Sequence, residues 1–261
     1  MIPENSLLYE FPCNEKYRTY LRLEALFKRF DWFCEQDSPI SHQAAISALF
    51  DLLDATARSD LRHELIQELE RQRQRMLAKA AEPVKEDEEP VDMELLAKLE
   101  STITLVTNTV GRTGQSVREN QWLQLVRTRQ TIVGGTCEFD LPQFHHWMNR
   151  DPSRRRAELL GYGATLQPIR DGSKILLDLL RKNVRIKMYR CEKGNFQQSM
   201  THCPNVPLVQ IWLPNDTDII PELSVNKFML WVRFSELDGE NKPHPIREGA
   251  LSFSMGMCSF D

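Results

Sequence analysis

No two cysteines in this 261-residue chain are separated by two residues; the six stand singly at positions 13, 34, 137, 191, 203 and 258. That scatter excludes a CxxC redox motif, and a chain of this length needs no disulfide staples. Free, mostly buried thiols in a reducing compartment are expected. The chain also lacks any apolar run approaching the roughly 18–20 residues that a membrane helix needs, so no direct membrane insertion is expected. Its opening, MIPENSLLYEF, has neither a basic n-region nor a long apolar core, which argues against a secretory signal and for a cytoplasmic protein. Excess positive charge is missing as well. The formal net charge is −4, so wholesale nucleic-acid binding, which usually calls for a basic domain, is not expected. No internal repeat is visible.

What is present is a soluble globular composition, 41% hydrophobic and 27% charged, long enough for one large domain or two ordinary ones. The first two-thirds has helical period. From Asn14 to Cys34, Tyr20, Leu23, Phe27, Phe30 and Cys34 recur at alternating spacings of three and four and make one buried stripe. Ser41 is expected to cap a second helix with the face Ile46, Leu49, Phe50 and Leu53. A third starts at Ser59 or Asp60, with Leu61, Leu65, Leu69 and Met76 inward and its basic residues late, as the helix dipole favours. The bracketing prolines and acidic run of AEPVKEDEEPV (81–91) read as a linker. Asp92 caps a fourth helix whose Leu96, Leu99, Ile103, Val106 and Val110 form a heptad-like seam. That seam needs a partner: the third helix in an antiparallel hairpin, or a second copy of the chain.

GRTGQS (111–116) reads as a turn. Residues 118–129 resume a helix with Trp122, Leu123, Leu125 and Val126 inside. Gly134-Gly135 stops it. Asp140 and Asp151 each start a further helix, the first with Pro142 in its opening turn. The last helix runs from about Gln167 to Lys182. After Asn183 the period changes to two. VRIKMYR (184–190), LVQIWL (208–213), FMLWVRF (228–234) and LSFSMGM (251–257) read as strands joined by turns, the first followed by Glu192-Lys193-Gly194-Asn195. Hairpin connections favour an antiparallel sheet. The expected class is α+β, with an α-helical domain over residues 12–183 and an antiparallel β-strand domain over 184–261. Residues 6–11 could add a strand to the second.

Few constellations carry chemistry. Arg18, Arg22 and Arg29 fall at spacings of four and seven on one helical face, where like charges repel by a few tenths of a kcal/mol. Two readings stand: a solvated face with ordinary ion pairs, or guanidinium forks that grip an acidic partner. Cys137 with His145 or His146 suggests a nucleophile–base pair, against the reading of Cys137 as a small hydrophobe. No metal site is expected, because His145-His146 and His202-Cys203 are adjacent pairs and not separated ligands. GRTGQS lacks the GxxxxGK[ST] phosphate loop. Arg154-Arg155-Arg156 reads as solvated surface or an anion contact. Arg233 could show from one face of its strand, beside Lys227.

Four stretches now carry a family resemblance: FPCNEKYRTYLRLE, the helix around 64–71, LVRTRQTIVGGTCEFDLPQFHHWM, and KFMLWVRFSELD. In order, over nearly the whole chain, they resemble ZapD, the FtsZ-associated cell-division family of bacteria. NEKxRTxLRxE and GGxCxFDLPxxHxW are the long, specific anchors. The resemblance implies a helical domain with a β-strand domain, a homodimer, and no enzymatic activity or cofactor. It implies a basic surface that binds the C-terminal tail of FtsZ, so that a dimer crosslinks and bundles FtsZ protofilaments and reinforces the Z-ring at midcell. Carried onto this chain, that surface includes Arg18, Arg22, His145 and Arg233. Where relatives have an arginine three residues after Arg118 this chain has Gln121, and where they can have one four before Arg233 it has Met229; Arg118 and Lys227 are the cations placed to compensate. The competing reading is a thiol-dependent enzyme centred on Cys137 and His145.

Overall fold

Tyr20, Leu23, Phe27, Phe30 and Cys34 are all buried, the single stripe along α1 (Glu15–Glu35) that their spacing requires. The computed structural model describes residues 5–58, 60–82, 90–201 and 206–260. Its class is α+β, as expected. The chain forms two compact units, one of residues 19–176 and the other of the segment up to Arg18 together with Leu177 onward.

The helical unit continues with α2 (Pro39–Ala55), α3 (Leu61–Ala81), α4 (Met93–Asn108), α5 (Gln115–Arg118), α6 (Gln121–Gln130), α7 (Pro142–Met148), α8 (Pro152–Ala164) and most of α9 (Gln167–Lys182). Ile46, Leu49, Phe50 and Leu53 of α2 are buried. Ser41 is not the cap, however: the N-cap falls three residues earlier, because Pro39 suits the first turn and Ser38 takes the extended N-cap conformation. Asp92 does cap α4, accepting from the Leu95 amide at 2.9 Å. The α4 seam packs on α3 within the chain. Arg62 donates to the Thr109 carbonyl at 2.6 Å, and Arg73 reaches Glu100 at 3.3 Å, so the two helices run antiparallel. Leu96, Leu99 and Val106 are buried, whereas Val110 lies past the helix end and is exposed. Leu125, expected inside, is also partly exposed, since α6 buries only Leu123 and Val126. Most of the expected 81–91 linker, and Ser59, fall outside the described residues.

Arg155 and Arg156 of the arginine triplet are not solvated surface. Arg155 is buried in the core, where it donates to His42 Nδ1 at 2.9 Å, to the Arg150 carbonyl at 2.6 Å and to the Asp37 carbonyl at 2.8 Å. Arg156 donates to the Cys34 and Glu35 carbonyls, each at 2.8 Å. Helix α1 has no basic residue in its own last turn. Arg156 of α8 therefore supplies the positive charge and the donors that its C-terminal carbonyls require. Only Arg154 of the three is exposed.

The other unit is an eight-stranded antiparallel sheet: β1 (Ser6–Pro12), β2 (Arg185–Glu192), β3 (Asn195–Ser199), β4 (Leu208–Pro214), β5 (Ile219–Val225), β6 (Met229–Leu237), β7 (Pro243–Pro245) and β8 (Ala250–Cys258). Its order is β1-β4-β8-β2-β3-β6-β5, with β7 on β6. The opening segment does return to the sheet, pairing with β4 from Ser6↔Pro214 to Pro12↔Leu208. Lys193 and Gly194 both take positive φ, 53° and 67°, as the two-residue β2–β3 turn demands. Period two on β6 puts Leu230, Val232 and Phe234 in the core with Ile211, Phe253 and Met255, and leaves Trp231 and Arg233 outward. Glu10 of β1 is half-buried; Arg181 grips it with two donors at 2.9 and 2.6 Å, and Gln210 adds a third at 2.8 Å.

Candidate functional site

The basic stripe of α1 divides residue by residue. Arg29 is ion-paired with Asp51 of α2. Arg18 lies 3.0 Å from Glu15 one turn earlier, with both side chains well exposed. Such a pair contributes at most about 1 kcal/mol in water, so an incoming carboxylate can replace it. Arg22 is exposed and makes no hydrogen bond or ion pair among the described residues. Solvated ion pairing thus describes Arg29, and an uncommitted guanidinium describes Arg22.

His145 is carried by α7. Phe144 and Trp147, three apart, are buried and stacked with ring centroids 5.8 Å apart, which turns His145 and His146 outward. Asp140 does not cap α7. Leu141 holds the N-cap position with no side-chain bond, and Asp140 lies instead 3.9 Å from Arg129. His145 Nε2 stands 3.7 Å from Glu138 Oε2 and 3.4 Å from Asn149 Nδ2. Cys137 is an exposed thiol in the turn after Gly134, whose φ is 71°. No hydrogen bond joins Cys137 to His145 among the described residues. Nor does any group of three or more His, Cys, Asp or Glu gather there in a metal-binding arrangement; His202 and Cys203 lie outside the described residues.

Arg118 is half-buried on α5. It donates to the Thr113 carbonyl at 3.2 Å, to the Leu53 carbonyl and to Thr56 Oγ1 at 3.5 Å. Burial lowers its pKa from the ordinary arginine value, and Asp54 partly offsets that. Its donors therefore hold the end of α2, and its charge remains uncancelled by a direct carboxylate contact. Gln121 opens α6 and is exposed. In the sheet unit, Lys227 sits in the β5–β6 turn with its Nζ 4.7 Å from the Phe228 ring. Arg233 projects from β6 onto its cross-strand neighbour Glu222, with Nε 3.0 Å from the carboxylate. Met229 begins β6 half-buried. Arg18, Lys227 and Arg233 thus belong to the sheet unit, and Arg22, Arg118 and His145 to the helical unit.

Two concavities of the helical unit were not foreseen. One, about 680 Å³, is walled by Trp122, Trp147 and Tyr162 and edged by His146. Its Glu158 accepts from Trp147 Nε1 at 2.7 Å and from Arg150 at 3.1 Å. The other, about 520 Å³, gathers Arg58, Arg62, Arg112, Arg118 and His63. Its signal in the sequence is faint, since Arg58 and Arg62 are four residues apart but Arg112 and Arg118 arrive from about fifty residues later.

No helix among the described residues is long and apolar enough to cross a membrane. The family model ZapD, described as a cell division protein, matches residues 21–233. Relatives named Cell division protein ZapD from Ralstonia pickettii (strain 12J) and Cupriavidus pinatubonensis (strain JMP 134 / LMG 1197) are each 39% identical over 255 residues, which is 97% of this chain and 100% of the relative. The chain belongs to the ZapD family of cell division proteins.

Proposed function

We propose that this protein is a non-enzymatic division factor that binds the C-terminal tail of FtsZ through a basic surface and, as a homodimer in the cytoplasm, crosslinks FtsZ protofilaments in the midcell ring. The observation that carries the reading is Arg22, an exposed guanidinium on a rigid helix that no acid of the described chain neutralises. Arg18 and Arg233 add cations whose own ion pairs are exposed and exchangeable. Lys227 adds an ammonium without an ion pair among the described residues, and His145 adds an exposed imidazole. Arg118 contributes through its field, its Nε and Nη2 donating to the Thr113 and Leu53 carbonyls and to Thr56 Oγ1.

A closed two-fold dimer presents each of these cations twice, so one particle holds tails from two filaments. Individual contacts can be weak, because many along adjacent filaments add through effective concentration. The test is charge reversal. Arg22→Glu is expected to lose co-sedimentation with FtsZ polymer at least tenfold, while its circular dichroism and its sedimentation coefficient match those of the native protein. Unchanged co-sedimentation of the folded variant would refute the assignment of Arg22.

A further inference from the structure

Four arginines from separate segments converge on the 520 Å³ cavity. Arg58 comes from the α2–α3 connection, Arg62 from the first turn of α3, Arg112 from the α4–α5 turn and Arg118 from α5. Among the described residues no carboxylate lines it. Arg58 is held from one side by Asp60 at 2.9 Å and Glu64 at 3.7 Å. The others are held differently. Arg62 donates to the Thr109 and Gly111 carbonyls at 2.6 and 3.1 Å, and Arg118 donates to the Thr113 and Leu53 carbonyls. A neutral carbonyl fixes a guanidinium without cancelling its charge, and each guanidinium has five N–H groups, so both keep donors in reserve. The Arg112 side chain makes no hydrogen bond or ion pair among the described residues. Arg112 lies close enough to Arg118 to add to the burial that disfavours the Arg118 charge. Three converging cations, Arg62, Arg112 and Arg118, that no carboxylate of the described residues pairs with suit an anionic occupant.

The shape selects the kind of anion. The cationic groups are carried by separate segments of the chain, so several can each meet one of the diverging oxygens of a tetrahedral phosphate, whereas a planar carboxylate is satisfied by one fork. The N-terminal end of α3, whose Asp60 makes no side-chain cap bond, adds its positive dipole end. Ala57 and Ile66 supply an apolar wall, and the volume exceeds what a lone phosphate fills. We infer that this cavity binds a phosphate-bearing small molecule, with Arg62, Arg112 and Arg118 on the phosphate and Ile66 against the less polar remainder. This goes beyond the FtsZ reading and does not rest on it.

Isothermal titration of the full chain with pyrophosphate, and with sulfate at matched ionic strength, tests it. Saturable pyrophosphate binding is expected, at least tenfold weaker in Arg112→Ala and unchanged in Arg154→Ala, an exposed arginine elsewhere. Arg112→Ala removes a side chain with no hydrogen bond or ion pair among the described residues to lose, so its melting temperature should be native. Equal binding by Arg112→Ala and the native protein, or equal binding of sulfate, overturns the site. Displacement of pyrophosphate by a peptide of the FtsZ tail would overturn the phosphate assignment and return the cavity to the tail-binding surface.

Discussion

Arg155 Nε donates to Nδ1 of His42 at 2.9 Å inside the helical core, so a buried cation fixes the tautomer of a buried imidazole. The pair explains how a charge sits there at all: the remaining donors of Arg155 reach the carbonyls of Asp37, Met148 and Arg150. Removing the guanidinium strands those acceptors. Arg155→Ala should destabilise the chain by about 3 kcal/mol or more, read from urea unfolding.

The same contact gives a pH dependence. Burial lowers the His42 pKa, and the Arg155 charge lowers it further. In the unfolded chain His42 takes up a proton near pH 6.5, whereas in the folded chain it resists protonation to lower pH. Its contribution to stability is complete above about pH 6.5 and is lost as pH falls below that. Urea midpoints between pH 7.5 and 5.5 should therefore decline more steeply for the native protein than for His42→Gln.

Gly256 is required by its neighbours. A Cβ there would stand 2.3 Å from Val184 Cγ2 and 3.4 Å from the Trp212 ring. Val184 is β-branched and cannot swing clear. Gly256→Ala should cost about 1–3 kcal/mol, visible as a lowered thermal midpoint, although alanine ordinarily suits a strand no worse than glycine.

The thiols should separate by reactivity. Burial pushes Cys13, Cys34 and Cys258 up to about 12, while Cys137 is exposed. Iodoacetamide at pH 8 should label Cys137 before the other described cysteines, as mapped by peptide mass spectrometry. Labelled protein should still co-sediment with FtsZ; loss of an enzymatic activity on labelling, with binding intact, would favour the thiol-enzyme reading.

Much of the fold was legible because its signals are local. The α1 stripe, the Asp92 cap, the Lys193-Gly194 turn and the return of residues 6–11 to the sheet each follow from a few adjacent residues. Strands β3, β5 and β7 were missed. NFQQS is mostly polar, Pro221 interrupts β5, and β7 is three residues long. Arg155 was misread because its partners at Asp37 and His42 lie more than a hundred residues away, so a triplet of arginines looks like surface. The α1 stripe shows the same limit. Spacing placed Arg18, Arg22 and Arg29 on one face, but only Asp51 on α2 separates Arg29 from Arg22.

The central claim is capture of the FtsZ tail. Pelleting of FtsZ polymer with this protein, using full-length and tail-deleted FtsZ at low and high salt, measures it most directly. The account predicts bundles that carry the protein down with full-length FtsZ, weaken as salt screens the contact, and vanish without the tail. Undiminished bundling of tail-deleted FtsZ would contradict it.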